Sequence, residues 1–125
     1  MSQLPKLIIQ EHLMGKFNLI ALTNPLDGQD DAFNDWYTNI HLGDVLKLPG
    51  IVAAQRFKLN DVQHRELSEE WKYMAVYEIE IDDIAITLDA LKAASGTDAM
   101  KLSPALAPER MVWIYTPITE RLERS

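Results

Sequence analysis

With 125 residues, 47% hydrophobic and 25% charged, the chain has the length of one domain built on a single core. Nineteen acids against twelve bases give a net charge of −7, and the bases are scattered, which excludes a phosphate-binding face for nucleic acid or an anionic membrane. The absence of cysteine removes disulfides, thiolate metal sites and a cysteine nucleophile together.

Residues 1–15 read as an N-terminal arm whose one apolar run, Leu7-Ile8-Ile9, is far below a signal-peptide core or a membrane span. A cytoplasmic protein is expected. Lys16 to Thr23 reads as a strand apolar on both faces and therefore central, stopped by Asn24-Pro25 and followed by an Asp27-Gly28 turn. Asp30 or Asp31 offers an N-cap to a helix that ends near Leu48, because Pro49 pushes the residue before it out of the helical region. A second strand, Ile51 to Leu59, leads into a polar connection from Asn60 to Trp71 and a third strand from Lys72 to Ile81. Asp82-Asp83 caps a second helix with Ile84, Ala85, Leu88, Leu91 and Ala94 at helical spacing, closed by Gly96. Thr97 to Pro108 is a connection with room for one helical turn. Glu109 to Thr116 is the fourth strand, and 118–125 form a charged tail that could be helical.

The order β-α-β-β-α-β is the split βαβ pattern of a ferredoxin-like α+β fold, a four-stranded antiparallel sheet with two helices on one face. Phe17, Leu19 and Ala21 alternate with Ile20 and Leu22, so the sheet face without helices is also apolar. An apolar face of that size asks for a partner, and the simplest is a second copy closing the two sheets into a barrel. A homodimer is expected from this patterning.

The first helix carries the one constellation that asks for a chemical explanation. At about 100° per residue from Phe33, residues Trp36, Tyr37, Ile40 and Leu48 share an apolar stripe, with Asp44 near its middle and His41 on its shoulder. A buried carboxylate needs a partner, and His41 and Asp44 lie three apart. The pairing predicts an imidazole held in one tautomer with a raised pKa, suited to proton transfer near neutral pH. Trp36 and Tyr37 would offer a flat wall to a ligand, and Arg56 on the next strand would hold an anionic oxygen if it faces the helices. Structural readings stand beside these: Asp44 tying a loop with His41 as its partner, the aromatic stripe as plain core, and Arg56 pairing with Glu78 or Glu80 across strands. The three histidines show no metal-ligand spacing, and no glycine-rich phosphate loop or serine elbow is present, so neither metal nor nucleotide is expected.

The stretch from Phe33 to Gly50 (F-N-D-W-Y-T-N-I-H-L-G-D-V-L-K-L-P-G), followed by I-V-A-A-Q-R-F to Phe57, resembles the dimeric α/β-barrel superfamily, in particular its EthD-like and stress-responsive branches. The resemblance in element order covers about residues 16–117; the specific motif covers 33–57. It implies a small pocket between sheet and helices with His41 pointing into it. The superfamily includes polyketide cyclases and dehydratases, cofactor-free monooxygenases, haem-degrading monooxygenases and muconolactone isomerases. The haem-degrading branch carries an Asn on the first strand, a Trp near the third and a His on the second helix. Asn18 and Trp71 match the first two, but Asp82 to Ser95 holds no histidine, so no cofactor is expected and Asn18 is kept as a ligand contact. The expected function is cofactor-free acid–base chemistry by His41 and Asp44 on an aromatic, polyketide-like or keto-acid compound, of cyclase, dehydratase, decarboxylase or isomerase type. The alternatives are a non-catalytic binding or accessory protein, or a monooxygenase of the same superfamily.

Overall fold

The computed structural model describes residues 13–66 and 70–125; the apolar run Leu7-Ile8-Ile9 of the expected N-terminal arm, and His12, lie outside the described residues. Strand β1 (Lys16–Pro25) pairs antiparallel with β3 (Tyr73–Glu80) on one side and β4 (Leu106–Tyr115) on the other, and β2 (Ile51–Lys58) pairs with β3. The order β2-β3-β1-β4 puts β1 and β3 at the centre, as the doubly apolar reading of the first strand requires. The ferredoxin-like α+β fold is confirmed. Strand β4 starts at Leu106, three residues earlier than expected, because a register shift opposite Thr23 and Pro25 lets Leu106 pair with Pro25.

Period-two alternation divides the sheet cleanly. Leu19, Ala21 and Thr23 of β1 and Tyr73, Ala75, Tyr77 and Ile79 of β3 face the helices and are buried. Ile20, Leu22, Met74 and Val76 face the other way, framed by Phe57, Met111, Trp113 and Tyr115 from the edge strands. Trp113 and Tyr115 are 52% and 58% exposed. Among the described residues, no layer covers this face.

Helix α1 runs from Asp30 to Leu46, with a π-helical turn at Tyr37–His41 between two α-helical pieces. Gln29 rather than an aspartate occupies its N-cap; Asp30 and Asp31 instead sit in the first turn, where carboxylates complement the helix dipole. Pro49 and Gly50 end the helix at a close crossing with α2 (Ile84–Ala94): the Thr87 hydroxyl donates to the Pro49 carbonyl at 2.7 Å. The Asp83 side chain accepts from the Ala85 N–H and caps α2, as expected. Thr87 is the one fully buried residue of α2, so this helix rides loosely on the sheet. The connection after it forms turns and a bridge between Ser95 and Met100 rather than a helical turn, and the tail from 118 is irregular. No helix among the described residues is long and apolar enough to cross a membrane.

Candidate functional site

The π-turn decides which side chains of α1 meet the sheet. The Leu42 N–H reaches back to the Tyr37 carbonyl, five residues away, so the helix takes up one extra residue there. Every later position falls back by about one residue, or about 100°, against the regular spacing. Phe33, Tyr37, His41 and Val45 then share the inner face, while Ile40, expected in the stripe, turns outward and is 51% exposed. Asp44, expected at the middle of the stripe, is moved to its flank and is only half-buried. Such insertions in a helix recur at functional sites.

Between β1, β4, α1 and the end of α2 lies a cavity of about 330 Å³, a size suited to a small organic ligand. Its floor is Leu19, Ala21 and Tyr77; Trp36, Tyr37, His41 and Val45 form one wall, and Leu91, Met100 and Leu102 the other. The His41 ring stacks on Trp36 (4.6 Å between centroids, 25° between planes) and stands edge-on to Tyr37 at 4.8 Å. The Trp36 indole N–H donates to the Lys101 carbonyl at 3.1 Å, which ties the wall to the loop after α2. The resemblance placed His41 in a pocket between helices and sheet, and it lines this cavity.

The electrostatics differ from the expectation. Burial lowers the His41 pKa to about 4; the Asp44 charge pulls it upward but does not offset the loss of water, and the Arg110 and Arg56 charges push it further down. The imidazole is therefore neutral at pH 7. Among the described residues its buried Nδ1 has no hydrogen-bond partner, and Asp44 acts on the imidazole through its charge, without the direct side-chain pairing expected. The Tyr77 hydroxyl donates to the Tyr37 oxygen at 3.3 Å, and burial raises the pKa of both phenols above the ordinary value.

Arg56 does face the helices, but it serves a different place. Its guanidinium donates to Asn34 Oδ1 and Thr38 Oγ1, both at 2.9 Å, and lies 4.5 Å from the centre of the Tyr37 ring. Asn34 donates to the Tyr73 hydroxyl, which donates to Asp30. Arg56 thus fastens β2 to α1 behind the cavity wall, and it pairs with neither Glu78 nor Glu80, which point to the other side of the sheet. Asn18 is also corrected: it opens on the uncovered face with Gln55, Phe57, Val76 and Glu78, across the sheet from His41.

The residue missed in the sequence is Arg110. It lies opposite Thr23 on β4, on the same parity as Val112 and Ile114, and it lines the cavity. Its signal was present: a single Arg on the inward parity of a strand otherwise apolar there. Only the register with β1 assigns that parity to the helix side. Among the described residues, no three His, Asp or Glu side chains gather closely enough to hold a metal ion.

No family model matches the chain. It is 38% identical over 64 residues to Core atranone cluster (CAC) protein 1 of Stachybotrys chlorohalonatus, a match covering 50% of this chain and 25% of that protein's length. Among solved structures it resembles an ethyl tert-butyl ether D (EthD) family protein of Bacillus halodurans C-125, with a TM-score of 0.57, 24% identity, and coverage of 82% of this chain and 98% of that one. An EthD-like protein of Ralstonia eutropha JMP134 superposes with a TM-score of 0.58 at 13% identity, covering 89% and 99%. The chain shares the ferredoxin-like fold of these EthD-like proteins.

Proposed function

We propose that the chain is a small-molecule enzyme that works without a bound cofactor, with His41 moving a proton on an aromatic or polyketide-like carbonyl compound. The observation that carries this reading is a neutral imidazole in the wall of a cavity of about 330 Å³, stacked on Trp36 with the Tyr37 ring edge-on beside it. In an isomerisation the imidazole takes the proton from the carbon next to the carbonyl, the C–H electron pair becomes the enolate double bond, and the proton returns at a second carbon. Tyr37 accepts from Tyr77, so its own proton is available to the oxygen on which charge develops. Asp44 acts through its charge, keeping the imidazole more basic than burial alone would leave it. The fold of the EthD-like proteins supports a small-molecule role.

Two copies are proposed to pair through the uncovered sheet face, where Phe57, Met111, Trp113 and Tyr115 are exposed together.

The test is a titration of the His41 ring by NMR against a panel of aromatic ketones and β-keto esters, followed by turnover assays on the compounds that bind. Ligand entry should move the His41 and Trp36 indole signals, and His41→Ala should abolish turnover while the fold is kept. If none of these compounds and no aromatic acid moves these signals at millimolar concentration, the cavity is plain packing and the proposal fails. Binding without turnover of any binder would leave a ligand carrier in place of an enzyme.

A further inference from the structure

Among the described residues, Arg110 is the one full positive charge in the cavity lining, and no carboxylate forms an ion pair with it. Its only hydrogen bond among the described residues is a long one, from Nε to the Pro108 carbonyl at 3.4 Å, which leaves both terminal nitrogens of the guanidinium to donate elsewhere. No ion pair to a described carboxylate engages it, although acids outnumber bases by seven in the chain. The rest of the lining is apolar or uncharged apart from the neutral His41: Trp36, Leu91, Met100, Leu102 and Val112 enclose the space, and Tyr37, Thr23 and Ser95 supply hydroxyls. The position is also fixed by the sheet. The register Thr23↔Arg110 sends the side chain to the helix side of an edge strand, where Arg110 is exposed while Thr23 beside it is buried. A cation at the rim of an apolar cavity is the arrangement that orients an amphipathic anion.

We infer that the cavity selects a monoanionic organic acid, with its carboxylate held by the Arg110 guanidinium at the rim and its apolar body against Trp36 and His41. This rests on the proposed function, since it names the ligand class of the same cavity. The planar fork of arginine suits two-point contact with a carboxylate, which a lysine does not reproduce. Binding also couples to the imidazole. His41 feels Asp44 on its own helix, Arg110 on β4, Arg56 on β2, and the uncharged Tyr37 and Tyr77 hydroxyls. An anion that neutralises Arg110 removes one of the two positive charges that disfavour the imidazolium, so the bound acid should make His41 more basic.

The experiment compares 1-naphthoic acid with 1-naphthamide, two probes of nearly equal shape that differ in charge, by calorimetry and by the His41 ring signals. The full chain should bind the acid about tenfold or more tighter than the amide, and the bound acid alone should move the His41 titration midpoint upward. Arg110→Gln should bring the two probes to within about twofold of each other, and Arg110→Lys should restore only part of the difference. Arg121→Gln in the tail removes the same charge from the molecule and should leave the preference intact. Equal binding of both probes to the unmodified chain, or a preference that survives Arg110→Gln, would overturn the inference while leaving the cavity as a ligand site. If neither probe nor the neutral panel above moves the His41 signals, the proposed function falls and this inference with it.

Discussion

His41 is held uncharged by its surroundings, and that has a cost at low pH. Its folded pKa of about 4 lies below the unfolded value of about 6.5, so the unfolded chain binds the proton first as pH falls. Above pH 6.5 both states are neutral at this residue and it contributes no slope. Between 6.5 and 4 the fold loses stability with falling pH, by up to about 1.4 kcal/mol per unit from this residue alone. Urea unfolding of the unmodified chain and His41→Gln at pH 7 and pH 4.5 should show that the variant lacks this part of the acid sensitivity. Arg56 answers a different question. Its two 2.9 Å hydrogen bonds and its seat against Tyr37, Phe33 and Tyr73 predict that Arg56→Ala costs about 2–3 kcal/mol by denaturant midpoint. Because Arg56 is absent from the cavity lining, Arg56→Lys should lose stability more than ligand affinity. The identities of Trp36, Tyr37 and His41 as one wall were legible in the first helix. The balance of burial over the Asp44 charge was not, since it depends on how deep the ring sits.

Helix α1 shows where regular spacing stops serving as a guide. Counting at 100° per residue holds up to Tyr37 and fails beyond it, because the π-turn consumes a residue that no local propensity announces. Ile40 and Asp44 were misplaced for that one reason, and His41 moved from the shoulder of the stripe to its inner face. The exit of the helix was fully legible: Pro49-Gly50 ends it, and Gly50 adopts a φ of 83°. A Cβ there would lie 2.9 Å from the Ile81 Cβ and 3.1 Å from the Thr87 hydroxyl. Gly50→Ala should therefore destabilise the protein by about 2 kcal/mol or more, read from its thermal or urea midpoint, as it combines backbone strain with a clash against Ile81 and Thr87. Gly28, with a similar φ and open space around it, should cost less, since only the backbone term applies.

At the scale of the whole molecule, element order alone carried the fold, because six segments in the order β-α-β-β-α-β close a sheet in few ways. Face assignment within the sheet was harder. Asn18 and Arg110 were sorted wrongly or missed because strands apolar on both sides do not say which parity meets the helices. The uncovered face bears on assembly. Trp113 sits at its exposed edge, opposite Ile20 of β1, and Trp113→Glu would place a charge in any sheet-to-sheet contact. Light scattering should report two chains for the unmodified protein at micromolar concentration and one for the variant. A single-chain mass for both would remove the dimer from the proposed function without touching the cavity.

The stack of Trp36 on His41 gives the molecule an optical readout of its own protonation. An excited indole loses its energy to a protonated imidazole in contact with it far more readily than to a neutral one, and these two rings lie 4.6 Å apart. In a chain carrying Trp71→Phe and Trp113→Phe, emission should come from Trp36 alone and fall as pH drops through about 4. The same fall should vanish with His41→Gln. Any anion that raises the basicity of His41 would shift the curve to higher pH, so occupancy of the cavity could be followed by light without a label.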